Sequence, residues 1–150
     1  KSFAGLQHRY EIFFKKKNIT FINDSKATSF EATKNALSSS KNIYWILGGL
    51  PKKNDKIILK EVKENIIKVL IIGNNINFFK KQIQNKINFS LLRNLKNSII
   101  RILKDIKSSN EKENTILLSP AAASYDQFLN FEQRGKEFKK LSKFYARKYI

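Results

Sequence analysis

Cysteine is absent and histidine occurs once. Without thiols there is no disulfide and no thiolate metal site, and one imidazole cannot build a His-rich metal centre. Long apolar runs are also missing: none approaches the roughly 18 residues that a membrane-spanning helix needs. The opening KSFAGLQHRYE has neither the apolar centre of a secretory signal nor an initiator Met, so a piece of a longer protein or a processed product is expected. Acidic residues are scarce, 12 against 30 Lys plus Arg, for a formal charge of +18. Three short signatures are lacking too. GGLPKK is not a G-x-x-x-x-G-K-[ST] phosphate loop, no G-x-G-x-x-G follows a strand, and no G-x-S-x-G elbow is present.

What is present suits one folded domain. The 150 residues are 41% hydrophobic and 12% aromatic, enough for a core with two faces and too apolar for disorder. The positive charge invites a nucleic-acid reading. The Lys residues, however, come scattered in pairs and one triplet, and Arg9, Arg93, Arg101, Arg134 and Arg147 do not cluster as base-reading guanidinium forks do. A solvated Lys-rich surface is the simpler account, with a basic nucleic-acid-binding module as the alternative.

The order of elements follows from periodicity. Residues 10–14 (YEIFF) and 19–22 (ITFI) read as strands of a hairpin around KKKN. Thr28 and Glu31 have capping-box spacing, with Phe30, Thr33 and Leu37 on the face of the helix they open. Residues 43–47 (IYWIL) form a continuous apolar run ended by Gly48-Gly49, as in a strand buried on both faces. After the GGLPKKND loop, in which Asp55 is a possible cap, Ile58, Leu59 and Val62 suggest a short helix. Residues 66–72 are another buried strand. Ile76, Phe79 and Ile83 have helical spacing, and residues 89–92 make a weaker strand. Leu95, Ile99, Ile102, Leu103 and Ile106 line an amphipathic helix. After a charged loop come a last strand at 115–118 and a long helix from about Tyr125, with Phe131, Gly135 and Phe138 on one face. Gly135 would let that helix lie close to the sheet. Repeated strand-then-helix order predicts an α/β fold: a Rossmann-like, doubly wound, mostly parallel sheet of about six strands. One antiparallel strand comes from the N-terminal hairpin, and helices cover both faces.

In such sheets ligands bind beyond the carboxyl ends of the strands. That rule selects three loops: NDSKAT (23–28), GGLPKK (48–53) and SPAAAS (119–124). Thr28 with Glu31, and Ser124 with Gln127, both read as capping boxes. Helix N-termini favour anions, so two of them with Lys52 between could hold two carboxylates, or a carboxylate and a phosphate. Blander readings stand beside this one. Most Ser and Thr caps only cap, a loop Lys is usually solvated, and Phe131 is more often core than contact. Asp24 with Lys26 reads equally as a surface pair, and His8-Arg9 as an exposed dipeptide.

FAGLQHRYE, FINDSKATS, WILGGLPKK and LLSPAAASYDQFLNFEQRG together resemble the C-terminal domain of the Mur ligases, nearest the branch that adds D-glutamate. The last motif is the most specific, and residues 55–113 carry little of the likeness. The resemblance implies residues 1–150 as the amino-acid-binding domain of a three-domain enzyme whose N-terminal UDP-binding and central ATPase domains lie outside this chain. It implies an ATP-dependent amide ligase of peptidoglycan precursor synthesis in the bacterial cytoplasm. There ATP phosphorylates the carboxylate of UDP-N-acetylmuramoyl-L-alanine, and the amine of D-glutamate displaces phosphate. ATP and Mg2+ would be held mainly by the central domain, and the isolated piece would be inactive. By position, Thr28, Lys52, Ser124 and Phe131 match residues that hold D-glutamate, with Tyr125 and Lys26 beside them. Arg9 and Asp24 match residues facing the nucleotide, with His8 adjacent. Gln7 stands where Pro is usual, and Leu50-Pro51 where Asp-Gly is common. A related ligase of the folylpolyglutamate type is the alternative within this group.

Overall fold

Backbone groups inside a short apolar run, too short for a helix and ended by glycine, are satisfied by neighbouring strands, which places the buried runs of this chain in the interior of a sheet. A computed structural model, which describes residues 6–150, shows that sheet; Phe3 to Gly5 of the FAGLQHRYE motif lie outside the described residues. Its strands are β1 (Glu11–Lys16), β2 (Ile19–Asn23), β3 (Ile43–Gly48), β4 (Ile66–Ile72), β5 (Phe89–Arg93) and β6 (Asn114–Leu118). The spatial order is β1-β2-β6-β3-β4-β5. Only β1 runs antiparallel, paired with β2 through a tight turn in which Lys17 takes a left-handed backbone (φ 52°). The remaining pairs are parallel, as the repeated strand-helix order predicts.

Alternation along each strand feeds two cores. Ile43, Trp45 and Leu47 with Val69 and Ile71 face α1 (Phe30–Ser39) and α2 (Ile76–Ile83), where Phe30, Leu37, Phe79 and Ile83 close the layer. Tyr44, Ile46, Leu70 and Ile72 face α3 (Leu95–Lys107) and α4 (Phe131–Tyr149), where Ile99, Ile102, Leu103 and Phe138 pack. Neighbouring strand residues point to opposite faces, so a run such as IYWIL is buried throughout while serving both layers. Strand β6 enters between β2 and β3, and the loop that follows it therefore leaves from the middle of the sheet.

Two local expectations are corrected. The helix predicted from Ile58, Leu59 and Val62 does not form. Only a 3-10 turn, Lys63–Asn65, precedes β4, and Ile58 is exposed while Leu59 and Val62 are buried. The reason lies in what holds the segment. Asp55 Oδ2 accepts from Phe30 N (2.9 Å), Ile57 N donates to Gln82 Oε1 (2.8 Å), and Gln82 Nε2 donates to Asp55 O (3.2 Å). The chain is thus fixed between α1 and α2, and Asp55 serves the first amide of α1 rather than opening a helix of its own. Nor is Thr28 the cap of α1: Ser29 is, its hydroxyl accepting from Ala32 N at 3.2 Å. Glu31 makes only an exposed pair with Lys34 at 3.8 Å, of little consequence for stability.

Ser142 of α4 is fully buried, and its hydroxyl has no hydrogen-bond partner among the described residues. A buried unpaired hydroxyl costs about 1 kcal/mol or more. Ser142→Ala should therefore raise the stability of the chain by about 1 kcal/mol, read as a higher urea midpoint at unchanged slope. A lower midpoint would show that the hydroxyl is satisfied.

Candidate functional site

The three selected loops meet at one edge, joined by main-chain hydrogen bonds. Residues 119–127 do not begin a helix. They run as a strap across the carboxyl ends of the parallel strands. Over β2, Asp24 N donates to Leu118 O (2.7 Å) and Ala121 N to Ala27 O (2.9 Å). Over β3, Ser119 N donates to Ile46 O (3.2 Å), Gly48 N to Pro120 O (3.0 Å), and Leu50 and Ala123 exchange both bonds. Asp126 Oδ2 then accepts from Asn74 N beyond β4 (3.3 Å), and Gln127 Nε2 donates to Arg93 O at the end of β5 (2.9 Å).

The small residues of SPAAAS follow from this path. Ala121 and Ala122 are fully buried, and Ala121 takes a left-handed backbone (φ 58°). At Gly49, also left-handed in φ (132°), an added Cβ would lie 2.4 Å from Ala123 O. Only short side chains let the strap lie this close.

Ser124 is buried, and its carbonyl accepts from Gln127 N and Phe128 N (3.0 and 2.8 Å), which closes a single turn. The long helix expected from Tyr125 starts at Phe131, capped by Asn130, whose Oδ1 accepts from Gln133 N at 2.8 Å. Gln133 Oε1 accepts from Leu129 N (2.7 Å), one residue before the cap. The capping motif is thus N-x-x-Q at 130–133, not S-x-x-Q at 124–127, because Asp126 and Gln127 are spent on the strand ends. The expectation of two helix N-termini at the rim is corrected accordingly. At α1 the first amide already has a carboxylate, that of Asp55.

Asp24 ties the rim together. Its carboxylate is buried, Oδ1 accepting from Tyr10 N (2.9 Å) and Oδ2 from Ser119 Oγ (2.7 Å). Burial raises its pKa above the ordinary carboxylate value, against the opposing pull of these two bonds and of Arg9. The Tyr10 bond, with Lys26 N to His8 O (2.9 Å), holds a turn in which His8 and Tyr10 both have positive φ (66° and 44°) and Arg9 is presented to solvent. Trp45 Nε1 completes the knot by donating to Ser119 O at 2.7 Å.

His8 is buried, not an exposed dipeptide partner. Asn23 Nδ2 gives one hydrogen to Glu11 Oε1 (3.0 Å) and the other to His8 Nδ1 (2.9 Å), which makes Nδ1 the acceptor of a neutral ring. Burial, with Lys139 nearby, lowers the His8 pKa and favours that state. Glu11 is held below the ordinary range by Lys139 Nζ at 2.9 Å and by the His8 and Asn23 bonds, although burial opposes this. The His8 ring meets Phe131 edge-on, 5.9 Å between centroids, and Lys26 Nζ lies 4.6 Å over the Phe131 ring. Gly135 lets α4 approach, because an added Cβ would lie 2.1 Å from His8 Nδ1.

Of the residues selected from sequence, Lys26, Phe131, His8, Arg9 and Asp24 therefore form one neighbourhood. A cleft of about 460 Å³ is lined by Arg9, Tyr10, Asp24, Lys26, Ala27 and Glu31 among others. Thr28 is half-buried between that cleft and α1. Lys52 is exposed two residues beyond Leu50, the partner of Ala123 next to Ser124. Tyr125 is 69% exposed on the outer side of the strap turn. Sequence reasoning passed over Arg134, which is buried and reaches both the NDSKAT and SPAAAS loops. The signal available was its place one residue before Gly135, on the turn of α4 that lies closest to the rim. Among the described residues no group of three His, Cys, Asp or Glu side chains is placed to hold a metal ion. The donors present do not fit Mg2+, and no step is assigned to a metal on this chain.

Known proteins match this chain at the scale of one domain. It is 44% identical over 138 residues to the UDP-N-acetylmuramoylalanine–D-glutamate ligase of the Wolbachia of Brugia malayi, across 92% of this chain and 28% of that protein. Proteins of the same name match from Nitrobacter hamburgensis (39% over 141 residues, 94% and 30%) and Trichodesmium erythraeum (40% over 146 residues, 95% and 31%). The chain is a relative of the Mur ligases. A solved MurF ligase from Thermotoga maritima, in complex with ADP, has a similar fold over 99% of this chain and 33% of its own, with a TM-score of 0.60 at 15% identity. No family model matches. The expected resemblance to a Mur ligase C-terminal domain is borne out, and the chain spans under a third of the curated relatives it matches.

Two measurements probe this rim. An acid whose folded pKa is raised holds its proton more tightly folded than unfolded. Stability then falls as pH rises from the ordinary carboxylate range through the raised value, and is level above it. Asp24→Asn can accept from Tyr10 N and donate to Ser119 Oγ, so it should remove that part of the pH dependence while retaining the fold. Urea unfolding of both proteins across the acidic range checks this; parallel profiles would show that Asp24 contributes none of the slope. Gly135→Ala should cost about 1–3 kcal/mol, because His8 or α4 must shift. The same unfolding assay measures it.

Proposed function

We propose that this chain is the D-glutamate-binding domain of an ATP-dependent ligase that adds D-glutamate to UDP-N-acetylmuramoyl-L-alanine in peptidoglycan precursor synthesis. The observation that carries the reading is the convergence of three separate loops at one rim, with Lys26, Lys52 and Arg9 all exposed there. The names of the relatives support the same reaction and substrate. D-Glutamate brings two carboxylates, and a rim rich in cations with few free acids suits a diacid.

In this reading Lys52 binds one carboxylate by a charge-assisted bond, and Thr28 and Ser124 contribute hydroxyl or main-chain donors. Tyr125 presents its amide beside Ser124, and Phe131 with Lys26 closes one wall. Arg9 and Asp24, with His8 behind them, face the nucleotide along the cleft. ATP gives its γ-phosphoryl group to the alanyl carboxylate, releasing ADP. The amine then attacks the acyl phosphate, phosphate leaves, an amide forms and the amine sheds a proton. The residues of this chain hold and orient D-glutamate. The phosphoryl transfer, with ATP and Mg2+, belongs to domains outside the chain, so chemistry requires this domain to close on them. The proposed setting is the bacterial cytoplasm; no helix among the described residues is long and apolar enough to cross a membrane.

The decisive test is ligase activity of the full-length protein with UDP-N-acetylmuramoyl-L-alanine, ATP and a panel of amino acids. D-Glutamate is the one expected to be joined; use of another amino acid in its place would refute the specificity. Lys52→Ala should weaken D-glutamate use by roughly 10- to 100-fold, from the loss of about 1.5–3 kcal/mol in charge-assisted bonding. Unchanged D-glutamate kinetics would remove Lys52 from the site.

A further inference from the structure

Arg134 is 1% exposed, a cation inside the protein. Its guanidinium binds no carboxylate among the described residues. Nε donates to Ser25 Oγ (2.9 Å), Nη2 to Ser25 O (2.6 Å) and Nη1 to Ala122 O (2.9 Å). Ser25 Oγ in turn donates to Phe131 O at 2.7 Å, and Ser25 N to Asn23 Oδ1 at 3.2 Å. One rigid fork therefore spans the loop that carries Lys26 and Thr28, the strap that carries Ser124, and the first turn of α4 that carries Phe131. Burial drives its pKa down to about 10, with Asp126 partly opposing, so the group remains charged at neutral pH.

A buried cation is expensive unless its donors are all used and a negative charge comes near it. The neutral oxygens here fix direction without cancelling the charge. An apolar residue of similar size could fill the volume, but it could not hold three chain segments at set angles. Lys could not either: it is a point charge with a tetrahedral set of donors, whereas the donors of Arg134 lie in the plane of its guanidinium.

We propose that Arg134 is a positioning residue for the amino-acid site: it sets the spacing between the NDSKAT loop, the strap and Phe131, and its charge, which no bonded carboxylate neutralises, favours an anionic ligand at the rim. This rests on the amino-acid-binding reading given above. It acts through Ser25, Ala122 and Phe131, so its signature is a change in amino-acid affinity apart from turnover and from nucleotide affinity.

The experiment uses the full-length protein with Arg134→Lys, Arg134→Ala and Ser25→Ala, read as separate kcat and KM values for D-glutamate and for ATP. Arg134→Lys should raise KM for D-glutamate about ten-fold or more, with KM for ATP changed less than about two-fold. Millimolar guanidinium should lower the raised KM of Arg134→Ala, because the free cation can occupy the vacated fork. Ser25→Ala removes only the hydroxyl relay and should give a smaller rise in the same KM, which keeps a readout should the Arg134 variants fail to fold. Equal loss of kcat with both KM values unchanged in the folded variants would overturn the proposal, as would an unmoved D-glutamate KM in Ser25→Ala when no Arg134 variant folds. A wild type that joins a different amino acid refutes the D-glutamate reading alone, and the same KM comparison with that amino acid then decides on Arg134. A wild type that joins none overturns both.

Discussion

Parallel strands that end together leave a row of unpaired amides and carbonyls at one edge of the sheet. In this protein the segment 119–127 satisfies that row, from Ala27 beyond β2 to Arg93 at the end of β5. The site depends on this accounting. The strap can reach every strand end because β6 stands between β2 and β3, so its continuation starts at the centre of the edge. It can lie flat because its middle is alanine and the residue facing it just after β3 is Gly49. Bound in this way, the loops after β2, β3 and β6 are one surface and not three separate excursions.

Charge is distributed over that surface with a division of labour. The buried and half-buried acids near it are committed to structure: Asp24 to Tyr10 and Ser119, Asp55 to the first amide of α1, and Glu11 to His8, Asn23 and Lys139. The basic groups Arg9, Lys26 and Lys52 are exposed, and Arg134 is buried behind them. The result is a rim whose exposed cations outnumber its exposed acids, with Glu31 the acid on the cleft and the acids named above turned inward, a setting in which an anion gains more than it would beside scattered surface lysines. The overall excess of Lys has less to say, since most of those side chains lie elsewhere on the surface.

Much of the fold could be read from residue order. The runs 43–47 and 66–72 read as interior strands because they are short, mostly apolar and ended by glycine, and the period of Leu95 to Ile106 fits a helix buried on one side. The three site loops were legible through the rule that ligands bind where parallel strands end. Local signals were less dependable. Thr28 yielded to its neighbour Ser29, Ser124 yielded to Asn130, and the apolar spacing of Ile58 to Val62 produced no helix. In each case a second candidate lay within a few residues, and the choice between them rested on partners distant in sequence.

The amino-acid sequence by itself determined the element types, the two-faced core, the parallel sheet and the identity of the loops at its carboxyl edge, because those follow from side-chain periodicity and the need to pair backbone groups. Tertiary structure alone decided that residues 119–127 would be a strap instead of a helix. It also decided that Asp24 would be a buried tie and that Arg134 would hold three segments at once. Those outcomes depend on hydrogen bonds between residues separated by 12 to 109 positions. Such bonds form only after the strands have aligned, when burial makes an unpaired amide or guanidinium costly enough to override a local capping preference.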